Sequence, residues 1–332
     1  MAALKKFLLR WEAVLVLVLL LVNVFNTMSS PYYLSMTGLL DATRDFMDKS
    51  FIVFPMAMII LMGEIDISVG AAIALSSVIM GVAYNAGNGI PMVAAILLAL
   101  LVGTVCGLIN GLLLTRFKEL SPMIVTLSTM TIYRGIAYII LKDQAAGKFP
   151  SWFQKFGWGT VGPVPYVLIV FAILAVIFTI VLNKTKLGRR IYAIGSNRTS
   201  SIFSGIKVDQ IRILAYTLAG FMSGLTAIFL TSRMSSTRPN IGYMYELDII
   251  SMVVLGGIST SGGKGRLAGA LISIFVIGYL KYGLGLNNIS SQILMIVIGL
   301  LLIISVLTPN LVARFKRWST VRKSHRQSMR ST

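Results

Sequence analysis

Ten apolar runs follow one another along this 332-residue chain, most of them long enough to cross a bilayer. They lie at residues 11–28, 46–62, 67–84, 91–115, 122–141, 164–183, 211–232, 247–258, 267–286 and 289–307. Bilayer hydrocarbon offers no partner to a free backbone N–H or C=O, so a crossing segment is a helix or a strand of a closed barrel. Barrel strands alternate apolar and polar residues over about ten positions. These runs are continuous, and they predict an all-α integral membrane bundle of about ten transmembrane helices. The eighth run is short, which predicts a crossing that is not one regular helix.

The composition agrees: 56% of residues are hydrophobic and 12% are charged, where a soluble domain carries about 25% charged residues. The net charge of +19 would suggest nucleic acid in a soluble protein. Here the charge sits in links and tails beside the apolar runs, so no nucleic-acid partner is expected. Twenty-one of the 30 basic residues fall on one set of alternate links. Arg44, Lys49, Lys142, Lys148, Lys155, Arg233, Arg238 and Lys281 fall on the other set, and Arg134 lies inside a run. The asymmetry places both termini and the loop at 184–212 in the cytoplasm. Lys5, Lys6 and Arg10 precede the first run, which has no small-residue cleavage site and reads as an uncleaved span. The opposite link at 147–165, with Trp152 and Trp158, reads as an external loop at the interfacial aromatic level.

The chain is poor in catalytic and metal-ligating residues. His325 is the single histidine and Cys106 the single cysteine, so no intrachain disulfide or multi-histidine metal site is expected. Eleven scattered acids offer no convergent catalytic set. Gly262-Gly263-Lys264 imitates a phosphate loop, but Ile258 stands where that loop needs glycine and Gly265 where it needs serine or threonine. No ATP site is expected in this chain.

Four features carry more information. Gly103, Gly107 and Gly111, with Gly220 and Gly224, form small-residue ridges that suit close helix packing. Glu64 and Asp66 lie in a link flanked by Gly63 and Gly70, with Ser68 beside them. That link is either a capped turn, with Asp66 or Ser68 as the cap, or a broken-helix element lining a translocation path. Arg134 needs a partner within the membrane, either an acid or free carbonyl groups, and fits structural pairing and path lining equally. The basic loop at 184–212 also holds Ile191, Tyr192, Ile194, Ile202, Phe203 and Ile206. Ser196 or Asn197 caps a short helix to about Phe203, ended by Gly205. Its apolar face either meets a partner's groove or belongs to a loop that packs on its own bundle.

Four segments resemble the sugar permease family of bacterial ABC importers, which includes ribose, xylose, arabinose, rhamnose and autoinducer-2 permeases. Gly63-Glu64-Ile65-Asp66-Ile67-Ser68-Val69-Gly70 resembles the family's Gly-Gly-Ile-Asp-Leu-Ser-Val-Gly. Residues 126–135 resemble its Thr-Leu-Gly-Thr…Tyr-Arg-Gly stretch. Gly188-Arg189, Tyr192-Ala193-Ile194-Gly195-Ser196-Asn197 and Ser204-Gly205-Ile206 resemble its coupling loop. Tyr245-Glu246-Leu247-Asp248 and Val254-Leu255-Gly256-Gly257, then Gly262-Gly263-Lys264-Gly265, resemble its last signature. Glu64 stands where the family has glycine, and Ser200-Ser201 where it has Ala-Ala.

The resemblance implies a permease bundle over residues 1–312, with interrupted helices and a cytoplasmic coupling loop at 184–210, followed by a basic cytoplasmic tail at 313–332 on anionic lipid. It implies a multi-pass protein of the bacterial plasma membrane that imports a sugar or sugar-like solute. The implied partners are a second permease protomer, identical or different, two cytoplasmic ATPase domains that hold ATP and Mg, and an extracytoplasmic sugar-binding protein. Ser196, Asn197, Ser200, Ser201, Ile202, Phe203, Ser204 and Gly205 would couple to the ATPase. Gly63, Glu64, Asp66, Ser68, Arg134, Glu246 and Asp248 would line the path or its helix breaks. The rival reading is a stand-alone ion-coupled transporter using Glu64, Asp66 or Arg134.

Overall fold

Where the sequence is continuously apolar, the chain folds into long helices. The computed structural model describes residues 11–31, 33–85, 89–290, 292–297, 299, 300, 303, 304 and 307. Long helices occupy α1 (Trp11–Ser29), α5 (Met92–Arg116), α6 (Pro122–Leu141), α8 (Tyr166–Lys184), α11 (Val208–Met234) and α13 (Leu267–Leu286). Among the described residues these six are long and apolar enough to cross a membrane. The tenth predicted run begins with non-helical residues 289 and 290 and is helical at 292–297, 299, 300, 303, 304 and 307; its other residues, like the tail at 313–332, lie outside the described residues.

Three crossings depart from single helices. The second predicted run is divided into α2 (Met36–Ser50) and α3 (Val53–Leu61). Pro55 explains the division: it has no N–H to offer the preceding turn, which tightens so that Ile52 N–H bonds Lys49 O at 3.2 Å. The third is the shorter α4 (Val69–Asn85), separated from α3 by the irregular stretch 62–68. The eighth is α12 (Tyr245–Leu255), entered through a non-helical chain.

α3 sits at the centre. Every residue from Val53 to Leu61 is buried, as befits a helix apolar on all faces. Phe54 stacks on Phe178 at 5.2 Å and lies 5.5 Å from Phe171, both of α8. The tightest crossing is α5 against α11. A Cβ on Gly107 would lie 2.1 Å from Tyr216 O, and one on Gly220 would lie 2.1 Å from Gly103 O. The two backbones touch, so the glycine ridges do what small residues do between membrane helices. α1 lies along α13, pinned to it by Asn26 Nδ2 to Tyr279 O (2.8 Å) and to the end of α12 by Trp11 Nε1 to Leu255 O (2.7 Å).

The link at 147–165 is not an open loop. It folds into β1 (Ala146–Gly147), α7 (Ser151–Trp158), β2 (Thr160–Val161) and β3 (Val164–Pro165). Gly157 N–H donates to Ser232 Oγ, and Trp158 Nε1 to Arg233 O, so the link closes over the end of α11. β1 pairs antiparallel with β4 (Ser236–Thr237).

Two basic residues assigned by sequence to links turn inward, Lys49 buried and Lys281 half-buried. Lys49 and Lys281 both donate to Asp248 Oδ2, at 2.8 and 2.7 Å. Arg233 meets Asp45 and Asp48 at 2.8 and 3.1 Å. The chain buries these charges because each meets an opposite one, across as many as 199 positions of sequence.

Candidate translocation and coupling sites

The stretch 62–68 brings two acids close in sequence and sends them in opposite directions. Gly63, at φ +81°, turns the chain out of α3. Glu64 then faces the loop at 184–212. Its Oε1 accepts from Arg198 Nη1 at 3.1 Å and meets Arg212 Nη2 at 2.8 Å, while Oε2 accepts from Arg212 Nε at 2.9 Å. The Arg212 pair is bidentate and buried. Arg212 also donates to Leu114 O at the end of α5.

Asp66 faces inward. Its Oδ1 accepts from Ser68 N–H at 2.8 Å and from Ser68 Oγ at 2.7 Å, so Asp66 caps α4. Asn110 Nδ2 donates to Ser68 Oγ at 2.7 Å, and Tyr133 O–H reaches Cys106 O at 3.0 Å. The stretch is therefore a bonded turn that interrupts the helix between α3 and α4.

Arg134 finds carbonyls and no carboxylate within bonding distance. Its Nη1 donates to Pro239 O and Ile241 O, each at 2.8 Å. These belong to the stretch after β4, which runs beside α4: Thr237 lies against Gly81 and Gly242 against Gly70. About 16 Å of helix separates those glycines, so chain without helical bonds descends well into the bundle. Such backbone is tolerated at membrane depth where protein groups satisfy it, and Arg134 does so. Glu246 comes next, in the first turn of α12, and its buried Oε2 has no hydrogen-bond partner. That oxygen lies where a Cβ on Gly70 would stand, 2.1 Å away. Asp248 turns instead to Lys49 and Lys281, so the two acids of α12 do not share a site.

The loop at 184–212 forms two short helices, α9 (Lys186–Ser196) and α10 (Arg198–Phe203). Asn197 joins them and caps α10, accepting from Ser200 N–H at 2.9 Å. Ser196 ends α9, Ser204 closes α10, and Gly205 turns away at φ +76°. Ile191 and Ile194 are buried in the bundle. Ser201 is buried, whereas Ile202 and Phe203 are 56% and 87% exposed. The loop thus divides between the two readings: α9 packs on its own bundle and α10 projects.

The glycine-rich stretch 256–265 lies beneath α9. Gly263 N–H bonds Leu61 O at 2.8 Å, and a Cβ on Gly195 would lie 1.8 Å from that same oxygen. Three backbones meet there, which accounts for the false phosphate-loop pattern. Tyr192 O–H donates to Gly265 O at 3.0 Å. Burial raises the Tyr192 pKa, so the proton in that bond is held at neutral pH. Among the described residues no group of three or more His, Cys, Asp or Glu is placed to hold a metal ion.

Sequence reasoning missed Arg198 and Arg212 as partners of Glu64, and Asn110 and Tyr133 beside Ser68. Arg212 left a trace, a lone cation two residues before the apolar Leu214-Ala215-Tyr216.

Interrupted crossings around a buried polar centre, with a short helix that leaves Ile202 and Phe203 exposed, define a multi-pass membrane permease. The chain belongs to the permease family of ABC importers, whose membrane subunits leave ATP hydrolysis to separate subunits: residues 38–306 match the family described as branched-chain amino acid transport system / permease component. It is 41% identical to the ribose import permease protein of Bacillus subtilis (strain 168) over 295 residues, covering 88% of this chain and 89% of the relative. It is 33% identical to the autoinducer 2 import system permease protein LsrD of Escherichia coli (strain K12) over 302 residues, covering 89% and 91%. No solved structure matches the chain. The family description and the relatives' names give three different cargoes, so membership defines a permease and leaves its cargo open.

Proposed function

We propose that this chain is the membrane-spanning permease of an ATP-driven importer in the bacterial inner membrane, carrying a sugar or sugar-like solute by alternating access. The observation that carries the reading is α10: a capped helix that holds Phe203 87% exposed on the face where basic residues are concentrated. Ser196, Asn197, Ser200 and 202–205 form the surface on which a cytoplasmic ATPase seats, and Ser201, turned inward, anchors α10 beneath it. ATP and Mg bind that partner. Two permease protomers, alike or different, enclose the path, an extracytoplasmic binding protein delivers the solute, and both termini face the cytoplasm.

The path runs beside the breaks at Gly63, Asp66 and Ser68 and along the descending stretch that Arg134 holds and Glu246 ends. ATP shifts the balance of inward-open and outward-open states by binding the assembled ATPases differently in the two. The names of the relatives, ribose and autoinducer 2, favour a small polyhydroxylated cargo. Of the groups named for the rival, an ion-coupled carrier, Asp66 is bonded to Ser68. Glu64 is occupied by two arginines and Arg134 by two carbonyls.

The test is reconstitution in liposomes with the co-expressed ATPases and binding protein. Ribose uptake, or uptake of another small sugar, is expected only with ATP and binding protein. Uptake by the chain alone under a proton or sodium gradient would overturn the reading.

A further inference from the structure

We propose that the Glu64 carboxylate is the joint through which movement of α10 reaches the break between α3 and α4, an inference that rests on the docking role given to α10 above. The clasp has two unequal halves. Arg212 and Glu64 have side chains only 4% and 6% exposed, and Arg212 also holds the end of α5, so this half fixes Glu64 to the bundle. Arg198 is the first residue of α10 and its side chain is 39% exposed, so this half joins Glu64 to the projecting helix.

Glu64 is closely tied to α3 before it and to the break after it. Its N–H bonds Ile59 O at 3.1 Å, in the last turn of α3. Two residues on, Asp66 is bonded to Ser68, and Ser68 to Asn110. Gly70 then touches Glu246 and Gly242 of the descending stretch. A displacement of α10 therefore meets a continuous chain of bonded or touching groups from Arg198 to the centre of the bundle. The joint is specific to a carboxylate at position 64. Glycine, the residue of the resembling motif, has no side chain to hold either arginine. α9 meets Leu61 O, before the break, and reaches Gly63 only through backbone packing at Gly262, without an ion pair to carry the movement.

The test uses the whole importer in liposomes, with ribose as cargo, and reads uptake per ATP hydrolysed beside copurification of the ATPases. Glu64→Gln and Arg198→Ala are each expected to lower uptake per ATP by about fivefold or more, within the usual range of allosteric coupling, with the ATPases still bound. Arg198→Lys is expected to restore most of that ratio. If Glu64→Gln does not fold, Arg198→Ala carries the test, because it leaves the buried Glu64–Arg212 pair in place. An unchanged ratio in Arg198→Ala overturns the proposal, and so does loss of the ATPases from that variant, which would make Arg198 a docking contact. Failure of the unaltered chain to bind ATPases or to need ATP overturns the docking reading, and this inference with it.

Discussion

α9 and α10 are consecutive helices of one loop, joined by the single residue Asn197, and they treat their apolar side chains in opposite ways. α9 buries Ile191 and Ile194 completely or nearly so. α10 leaves Ile202 and Phe203 in the open. Burying such a side chain stabilises a fold by about 1.5–3 kcal/mol, and α10 forgoes that. A loop made only to connect two crossings gains nothing from a capped helix with an exposed phenylalanine. The difference separates a helix that belongs to the bundle from one that leaves an apolar face open to the proposed ATPase.

Four substitutions break or sharpen the contrast, in order of their effect on the chain's own stability. Gly195→Val, which drives a side chain into Leu61 O, is expected to cost about 3 kcal/mol or more and to remove most folded protein from detergent extracts. Ile191→Ala is expected to cost about 2–5 kcal/mol, seen as a lowered melting temperature of the purified chain. Asn197→Ala removes the cap of α10 and is expected to cost about 1 kcal/mol, read as faster amide exchange confined to α10. Phe203→Ala is expected to change the chain's stability by less than about 0.5 kcal/mol. The same variant is expected to weaken ATPase binding about tenfold, measured by titration of the purified partner. Equal destabilisation by Ile191→Ala and Phe203→Ala would erase the contrast.

Much of this was legible in the sequence. The 3.6-residue helix repeat does not matter when a run is apolar on every face, so length and hydropathy alone placed α1, α5, α6, α8, α11 and α13. Asn197 and Gly205 bounded α10 because caps and left-handed stops have few chemical solutions. The breaks were harder. Pro55 divides an apolar run just after the polar Asp48-Lys49-Ser50, and the two signals together mark a break that apolarity alone hides. The descending stretch before α12 is set by Arg134, some hundred positions away. The partners of Glu64 lie 134 and 148 positions along the chain, and charge alternation alone does not predict which arginine turns inward. Local chemistry specified elements, and long-range pairing specified which of their side chains meet.

The most direct measurement labels a single cysteine at Phe203→Cys in a Cys106→Ala background with a membrane-impermeant maleimide. The account predicts no labelling in intact cells, ready labelling in inside-out vesicles, and protection there by the bound ATPase. Labelling of residue 203 from outside intact cells would contradict it.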